Sequence, residues 1–309
     1  MKSRVALVKG SDRRDNIRRA LELIREDAAS KINGRKVIVK PNCLRSSAPL
    51  SCTHVDTLRG ILDFASNLSP GSVIVAEGCG DSEHFQSFRR LGYVSLPEEY
   101  KTSLVDLDEE GEWTEIRLLN RDYQEVRVKI SRGIVDCQCR ISAAVAKTHD
   151  TVILTASWKN MMGALAAHDK VKMHGCNSHR ERVLRSEIAI LPQNLVRLAK
   201  FVAPHIGVID GFIGMEGNGP VSGNEKHLGI AIASTDFVAA DAVCAKVVGF
   251  EPMEISYLYY GHQLGLGIAV LDDIEVVGNS VEDAAGRFTP HANYPTQRLW
   301  REVSPALPK

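Results

Sequence analysis

This sequence lacks any excess of positive or negative charge: Lys plus Arg and Asp plus Glu both number 38. Without a net positive field there is no general attraction to nucleic acid or acidic lipid, and neither is expected as a partner. No apolar run approaches the roughly 20 residues that span a bilayer, and the N-terminal MKSRVALVKG returns to charge before a signal-peptide core forms. A soluble, cytoplasmic chain with no membrane partner is the expectation. Cysteine is sparse and scattered: Cys43, Cys52, Cys79, Cys137, Cys139, Cys176 and Cys244 are seven in 309 residues, an odd number that argues against a disulfide framework. Free thiols follow. Cys137-Gln-Cys139 is the tight pair, and without a second pair it reads as small residues in a strand rather than as a zinc or iron–sulfur site. A Walker A sequence and a Gly-x-Gly-x-x-Gly at the first helix are also missing, so ATP and NAD have no signature here. No repeat, low-complexity tract or Pro/Ser linker divides the chain.

What remains is an ordinary globular composition, 44% hydrophobic and 25% charged, in a chain long enough for a large core. Val5–Val8 reads as a strand, and Ile17, Ala20, Leu21, Ile24 and Ala28 follow on one helical face. Val37–Val39 is a second strand; Thr53-His-Val-Asp56 has the form of a capping box before Leu58, Ile61, Leu62, Ala65 and Leu68. Val73–Ala76 completes an alternation that requires crossover connections and a parallel sheet. Between about 105 and 130 the pattern turns to polar/apolar alternation, a small antiparallel excursion. Strands then resume at Ile141–Ala146, Ile206–Ile209, Gly229–Ala233 and Ile274–Val277, with helices over Ser186–Val202 and Asp236–Val248, the latter stopped by Gly249. The fold class is α/β: a mostly parallel sheet flanked by helices, in two lobes with a cleft, 1–130 and 131–309, or one continuous domain.

In such sheets ligands lie outside the carboxyl ends of the strands, so the polar residues after each apolar run are the candidates. Lys40-Pro41-Asn42 places an ammonium and an amide at a fixed turn, against the alternative of a plain surface turn. Glu77-Gly-Cys-Gly-Asp81 offers two carboxylates and two glycines, with Asp81 as a helix cap the competing reading. A period of two puts Lys147 and His149 on one face, an acid–base or anion-binding pair. Lys159-Asn160 adds a second basic and amide pair in apolar surroundings, unless the lysine snorkels to solvent. Asp210-Gly211 and the loop Met215-Glu216-Gly217-Asn218-Gly219-Pro220 could present backbone N–H groups to an anion, or form a long turn. Asp241 sits on a helix that is otherwise apolar and must be paired or protonated, whereas Asp236 reads as an N-cap. His168, His174, Cys176 and His179 match no standard zinc spacing, so one or two of these histidines are expected to face the pocket; Arg180, Arg182 and Arg185 read as a solvated charged face, against the alternative of holding a phosphate or carboxylate.

Taken in order, Lys40-Pro-Asn42, Lys147-Thr-His149, Lys159-Asn-Met-Met-Gly163, Asp210-Gly211 with Met215-Glu-Gly-Asn-Gly-Pro220, and Asp236-Phe-Val-Ala-Ala-Asp241 resemble domain-of-unknown-function family 362, over about residues 36–278. Members of that family often carry a ferredoxin-like segment with iron–sulfur clusters; this chain has no Cys-x-x-Cys-x-x-Cys run, so no cluster is expected within it. The order of Lys147, His149, Lys159 and the later histidines is fainter in its likeness to the nickel-dependent lactate racemase group, which implies a cleft site and chemistry at the α-carbon of a small hydroxy acid. The leading expectation is an enzyme of isomerase, lyase or hydrolase type acting on a small anionic metabolite. Lys147, His149 and Lys159 would be catalytic, and Lys40, Asn42, Asn160, Asn218 and Gly219 would hold substrate. Glu77, Asp81, His174, Asp210, Glu216 and Asp241 would be ligands of a divalent iron, manganese or magnesium ion. The alternative is a non-catalytic ligand carrier or redox accessory that docks an iron–sulfur partner protein. A homodimer is compatible with either.

Overall fold

A computed structural model describes residues 2–80 and 85–304. Eleven strands are present among them: β1 (Ser3–Lys9), β2 (Lys36–Lys40), β3 (Ser72–Glu77), β4 (Thr102–Asp106), β5 (Trp113–Leu119), β6 (Glu125–Ser131), β7 (Cys139–His149), β8 (Ile153–Thr155), β9 (Ile206–Glu216), β10 (Asn224–Ser234) and β11 (Ile274–Gly278). Nine of them form one sheet in the order β11-β1-β10-β9-β7-β2-β3-β4, with β8 folded back against β7. β2, β3, β4, β7 and β9 pair in parallel, as do β1 and β11, while β10 and β8 run against their neighbours. The α/β class and the mostly parallel sheet are therefore as the apolar runs indicated. β1, from the start of the sequence, lies between the late strands β11 and β10.

The parallel strands are buried on both faces, as runs such as Val37-Ile-Val39 require. Two apolar clusters lie on the two sides. One joins the helices Leu184–Val202 and Phe237–Val247 to Ile209, Ile230 and Ile232; the other joins the helices Arg13–Leu23 and Val55–Ser66 to Val37, Val39, Ile141 and Val208. The excursion is a separate hairpin, β5 against β6, paired from Trp113↔Ser131 to Leu119↔Glu125. β4, placed at its beginning by the alternation, instead extends the main sheet in parallel with β3. Among the described residues no helix is long and apolar enough to cross a membrane.

Two local expectations are corrected. Ile17, Ala20, Leu21, Ile24 and Ala28 are all buried, but the helix breaks at Ile24, which leaves the helical region, and a second helix runs Arg25–Ile32. The capping box at Thr53 does not form. The helix Val55–Ser66 is capped by His54, whose Nδ1 accepts from Asp56 N at 3.2 Å. Thr53 Oγ1 is used in tertiary structure, accepting from Asn42 N at 2.7 Å and donating to Ala143 O at 2.7 Å. Asp236 does cap its helix, accepting from Ala239 N at 2.9 Å, and Gly249 follows that helix at φ 89°, where a side chain would be strained.

Candidate functional site

The parallel strands β2, β3, β7 and β9 end on the same side of the sheet, and the segments that leave them enclose a cavity of about 650 Å³. Asn42 and Cys43 come from the end of β2, Glu77 and Gly78 from β3, Lys147 and His149 from β7, and Asn218 and Gly219 from the loop after β9. Thr155 on β8, Lys159, Asn160, Lys170, His174 and Arg182 close the opposite wall. Five cationic side chains, Arg45, Lys147, Lys159, Lys170 and Arg182, line the space against two carboxylates, Glu77 and Asp150. That balance suits an anionic ligand.

The alternation of β7 explains the placement of its last residues. Lys147 and His149 face the cavity, while Thr148 between them turns the other way. There it donates to Gly217 O at 2.8 Å and accepts from Gly219 N at 3.3 Å, fixing the loop that carries Asn218. The Lys147 ammonium is held by Asn42 Oδ1 and by Ser51 O, the latter at 2.7 Å. Burial lowers it to about 8, against the pull of Cys52 and Glu77. His149 Nδ1 accepts from Thr151 N at 3.0 Å, so the neutral ring carries its proton on Nε2. Burial, with Lys159, His174, Arg182 and Lys147 nearby, keeps that ring neutral.

Lys40 is found one layer deeper than expected. It is fully buried and does not line the cavity; its ammonium pairs with Glu77 and reaches Pro41 O at 3.0 Å and Asn160 Oδ1 at 3.3 Å. Asn160 in turn donates to Lys40 O at 3.1 Å and Ser142 Oγ at 2.9 Å. Glu77 is the member of this group that shows at the cavity wall, and burial raises it to about 7 in spite of Lys40 and Lys170. The pair is covered by Gly163, where an added Cβ would collide with the Glu77 carboxylate and the Lys40 ammonium. Only glycine fits there.

A second polar group was not visible in the sequence as a unit. Glu187, in the first turn of the helix Leu184–Val202, is buried and accepts from His174 Nδ1 at 2.9 Å, from Arg182 Nη2 at 2.7 Å and from Thr151 Oγ1 at 3.1 Å. Arg182 also pairs with Asp150 at 2.9 Å, so it is part of this network and not of a solvated face. Burial pushes Glu187 up, but the bonds from His174 and Arg182 outweigh it and leave the carboxyl at about 2. A carboxylate on Nδ1 fixes the His174 tautomer with its lone pair on Nε2, at a residue that lines the cavity. The His149 and His174 rings lie nearly parallel, centroids 6.3 Å apart. The signal available in the sequence was Glu187 itself, one acidic residue in the stripe that includes Ile188 and Leu191.

Lys159 differs from the paired cations Lys147, Lys170 and Arg182 on the same wall. It is half-buried on the cavity wall and its ammonium has no hydrogen-bond or ion-pair partner among the described residues. Burial lowers it to about 7, partly opposed by Asp150. Thr155 Oγ1 on the same wall is likewise buried without a partner.

The remaining expected metal ligands are not gathered at the cavity. Asp210 faces the opposite side of the sheet, accepting from Thr57 Oγ1 at 2.6 Å and pairing with Arg13 at 3.2 Å. Glu216 accepts from Thr289 N at 2.8 Å. Asp241 is closed in by Ser157, Trp158 N and Tyr257. Asp81 lies outside the described residues. Among the described residues no group of three or more His, Cys, Asp and Glu side chains is placed to hold a metal ion. Glu77 is taken by Lys40 and the His174 Nδ1 by Glu187. Among the described residues the expected donors therefore do not gather into an iron, manganese or magnesium centre, and no step is routed through one.

Comparison with known proteins bears on the fold and the family. The model of a domain of unknown function, DUF362, matches residues 37–246, more than half of the chain. The chain is 25% identical over 242 residues to the thylakoid-associated protein sll1697 of Synechocystis sp., covering 75% of this chain and 69% of that protein. Its fold is similar to that of the lactate racemase apoprotein of Thermoanaerobacterium thermosaccharolyticum, with a TM-score of 0.53 at 16% identity. That match covers 79% of this chain, which spans 57% of the racemase chain.

Proposed function

We propose that this chain, which belongs to the DUF362 family, is an enzyme that binds a small carboxylate or similarly compact anion in its cavity and moves a proton on it. The observation that carries the reading is the unpartnered Lys159 ammonium facing the same cavity as His174, whose Nδ1 is held by the Glu187 carboxylate. A half-buried cation with no protein partner loses hydration without compensation unless a ligand supplies a partner or the proton leaves. Lys159 does the second easily, because burial has brought it to about 7.

In this mechanism Lys147, Lys170 and Arg182 neutralise the bound anion, and the backbone of Asn218 and Gly219 closes over it. His174 Nε2 removes a proton from the ligand, and the imidazolium that forms is stabilised by Glu187. Lys159, as its ammonium, is the group placed to return one, and the neutral His149 ring, whose Nε2 carries its proton, donates a hydrogen bond to the anion. Transfer in and out at one carbon makes the chemistry of isomerase or lyase type. The lactate racemase likeness, which concerns the fold, makes small 2-hydroxy acids the first ligands to try.

The test is exchange in D2O. The protein is incubated with a panel of small hydroxy, oxo and phosphorylated acids, and loss of carbon-bound protons is followed by proton NMR. At least one acid is expected to raise the melting temperature and to exchange, with exchange lost in His174→Gln and Lys159→Met while binding persists. Binding with undiminished exchange in both variants would remove these residues from the chemistry; no binding by any acid would remove the function.

A further inference from the structure

Three of the seven cysteines meet at the edge of the cavity. Cys43 lines it, and its thiol lies against the thiols of Cys52 and Cys79; all three are buried and free. Cys43 and Cys52 are partners in an isolated antiparallel bridge. Thr53 N donates to Asn42 O at 2.8 Å, so the bridge bond joins the residues flanking the two cysteines and the cysteines themselves are a non-hydrogen-bonded pair. Such pairs have Cα atoms about 4.5 Å apart, within the span a disulfide needs.

We propose that Cys43 and Cys52 form a redox pair that a peroxide entering the cavity oxidises to a disulfide, with Cys79 left reduced beside it. The inference stands on the thiols and does not depend on the proton-transfer reading. In the first step a thiolate of the pair attacks one peroxide oxygen; the O–O bond breaks, hydroxide leaves and a sulfenic acid remains. The second sulfur then attacks the sulfenyl sulfur, the S–S bond forms and a second hydroxide leaves. Two thiol protons convert the hydroxides to water, and two electrons have passed from sulfur to peroxide.

The surroundings favour this pair over the other cysteines. The Cys43 thiol stabilises the Cys52 thiolate, and Ser51 and the nearby Lys147 ammonium help it against burial, holding Cys52 below the usual thiol range. Lys147 is held by Asn42 and Ser51, the residues immediately before the two cysteines, so its charge is fixed at the pair. Cys137 and Cys139 are the contrast. They lie two apart along one chain, the Cys137 thiol is engaged with Lys36 O and Cys139 O at 3.3 and 3.2 Å, and burial raises both, Cys139 to about 12. Nor do the three thiols make a metal site by their placement among the described residues.

The experiment exposes the full reduced chain to hydrogen peroxide at neutral pH, blocks residual thiols with an alkylating reagent and maps the peptides by mass spectrometry. A cross-link between the Cys43 and Cys52 peptides is expected first, reversed by dithiothreitol, with loss of these thiols about tenfold faster than loss of Cys137 and Cys139. Cys79→Ser should leave the cross-link intact and Cys52→Ser should abolish it. Seven thiols that all remain open to alkylation, or a first cross-link made through Cys79 or between two chains, would overturn the proposal.

Discussion

Glu77 and Asp241 are both fully buried carboxylates that burial raises to about 7, yet their surroundings differ in one respect. Asp241 is a closed account. Ser157 N at 2.8 Å and Ser157 Oγ take one oxygen, and Trp158 N at 3.2 Å and the Tyr257 hydroxyl at 3.3 Å take the other. Around Glu77 the protein's own groups do not saturate one another: the wall it belongs to also holds an unpartnered ammonium on Lys159, an unpartnered hydroxyl on Thr155 and a histidine held through one ring nitrogen by Glu187. Buried polar groups that are all satisfied build structure, whereas those with a face left over are placed for something else to satisfy them.

The comparison is sharpened most by His174→Gln and Lys159→Met. Each should lower ligand exchange by about 10²- to 10⁴-fold with the fold intact, since a general acid or base contributes on that scale. Asp241→Ala should do the opposite. Leaving Ser157 N and Trp158 N buried without an acceptor costs on the order of 3 kcal/mol, read as a lower urea midpoint with unchanged exchange per folded molecule. Equal stability loss in His174→Gln would break the distinction.

A smaller effect lies in the pH dependence of stability. Lys147 is lowered from 10.5 to about 8 by burial, so between these values the unfolded chain binds more protons than the folded one. Stability contributed through this group therefore rises as pH increases from 8 to 10.5, by up to about 3 kcal/mol, and is at its lowest below 8. Urea denaturation across this range should show the rise in the wild type and its loss in Lys147→Met; parallel curves would contradict it. Smallest of all is the exposed Arg127–Glu115 pair on the hairpin. Removing it with Glu115→Ala should shift stability by no more than about 0.5 kcal/mol, measured the same way.

The residues that could be read ahead of the structure share a physical origin. Strand ends announce themselves by an apolar run giving way to polar residues, and Asn42, Glu77, Lys147 and His149 follow such runs and line the cavity. Where an apolar run and its strand do not end together, the reading fails. β9 continues from Ile209 to Glu216, so Asp210 lies inside the strand, and the alternation turns it to the face occupied by Arg13 and Thr57. Lys40 illustrates depth: it is the last residue of β2, and periodicity cannot tell a side chain at the wall from one behind it. Glu187 and the Cys43–Cys52 bridge join segments distant in sequence or looped back on themselves, and no spacing rule reports such meetings.

The claim on which the account rests is that Lys159 is an unpartnered amine held at about 7 by burial within the cavity. Its rate of acylation by an amine-directed reagent, followed residue by residue by mass spectrometry as pH is raised, measures this without knowledge of the substrate. A midpoint near 7, well below the ordinary lysine value, is the expected result. A Lys159 midpoint near 10.5, indistinguishable from the surface lysines, would contradict it.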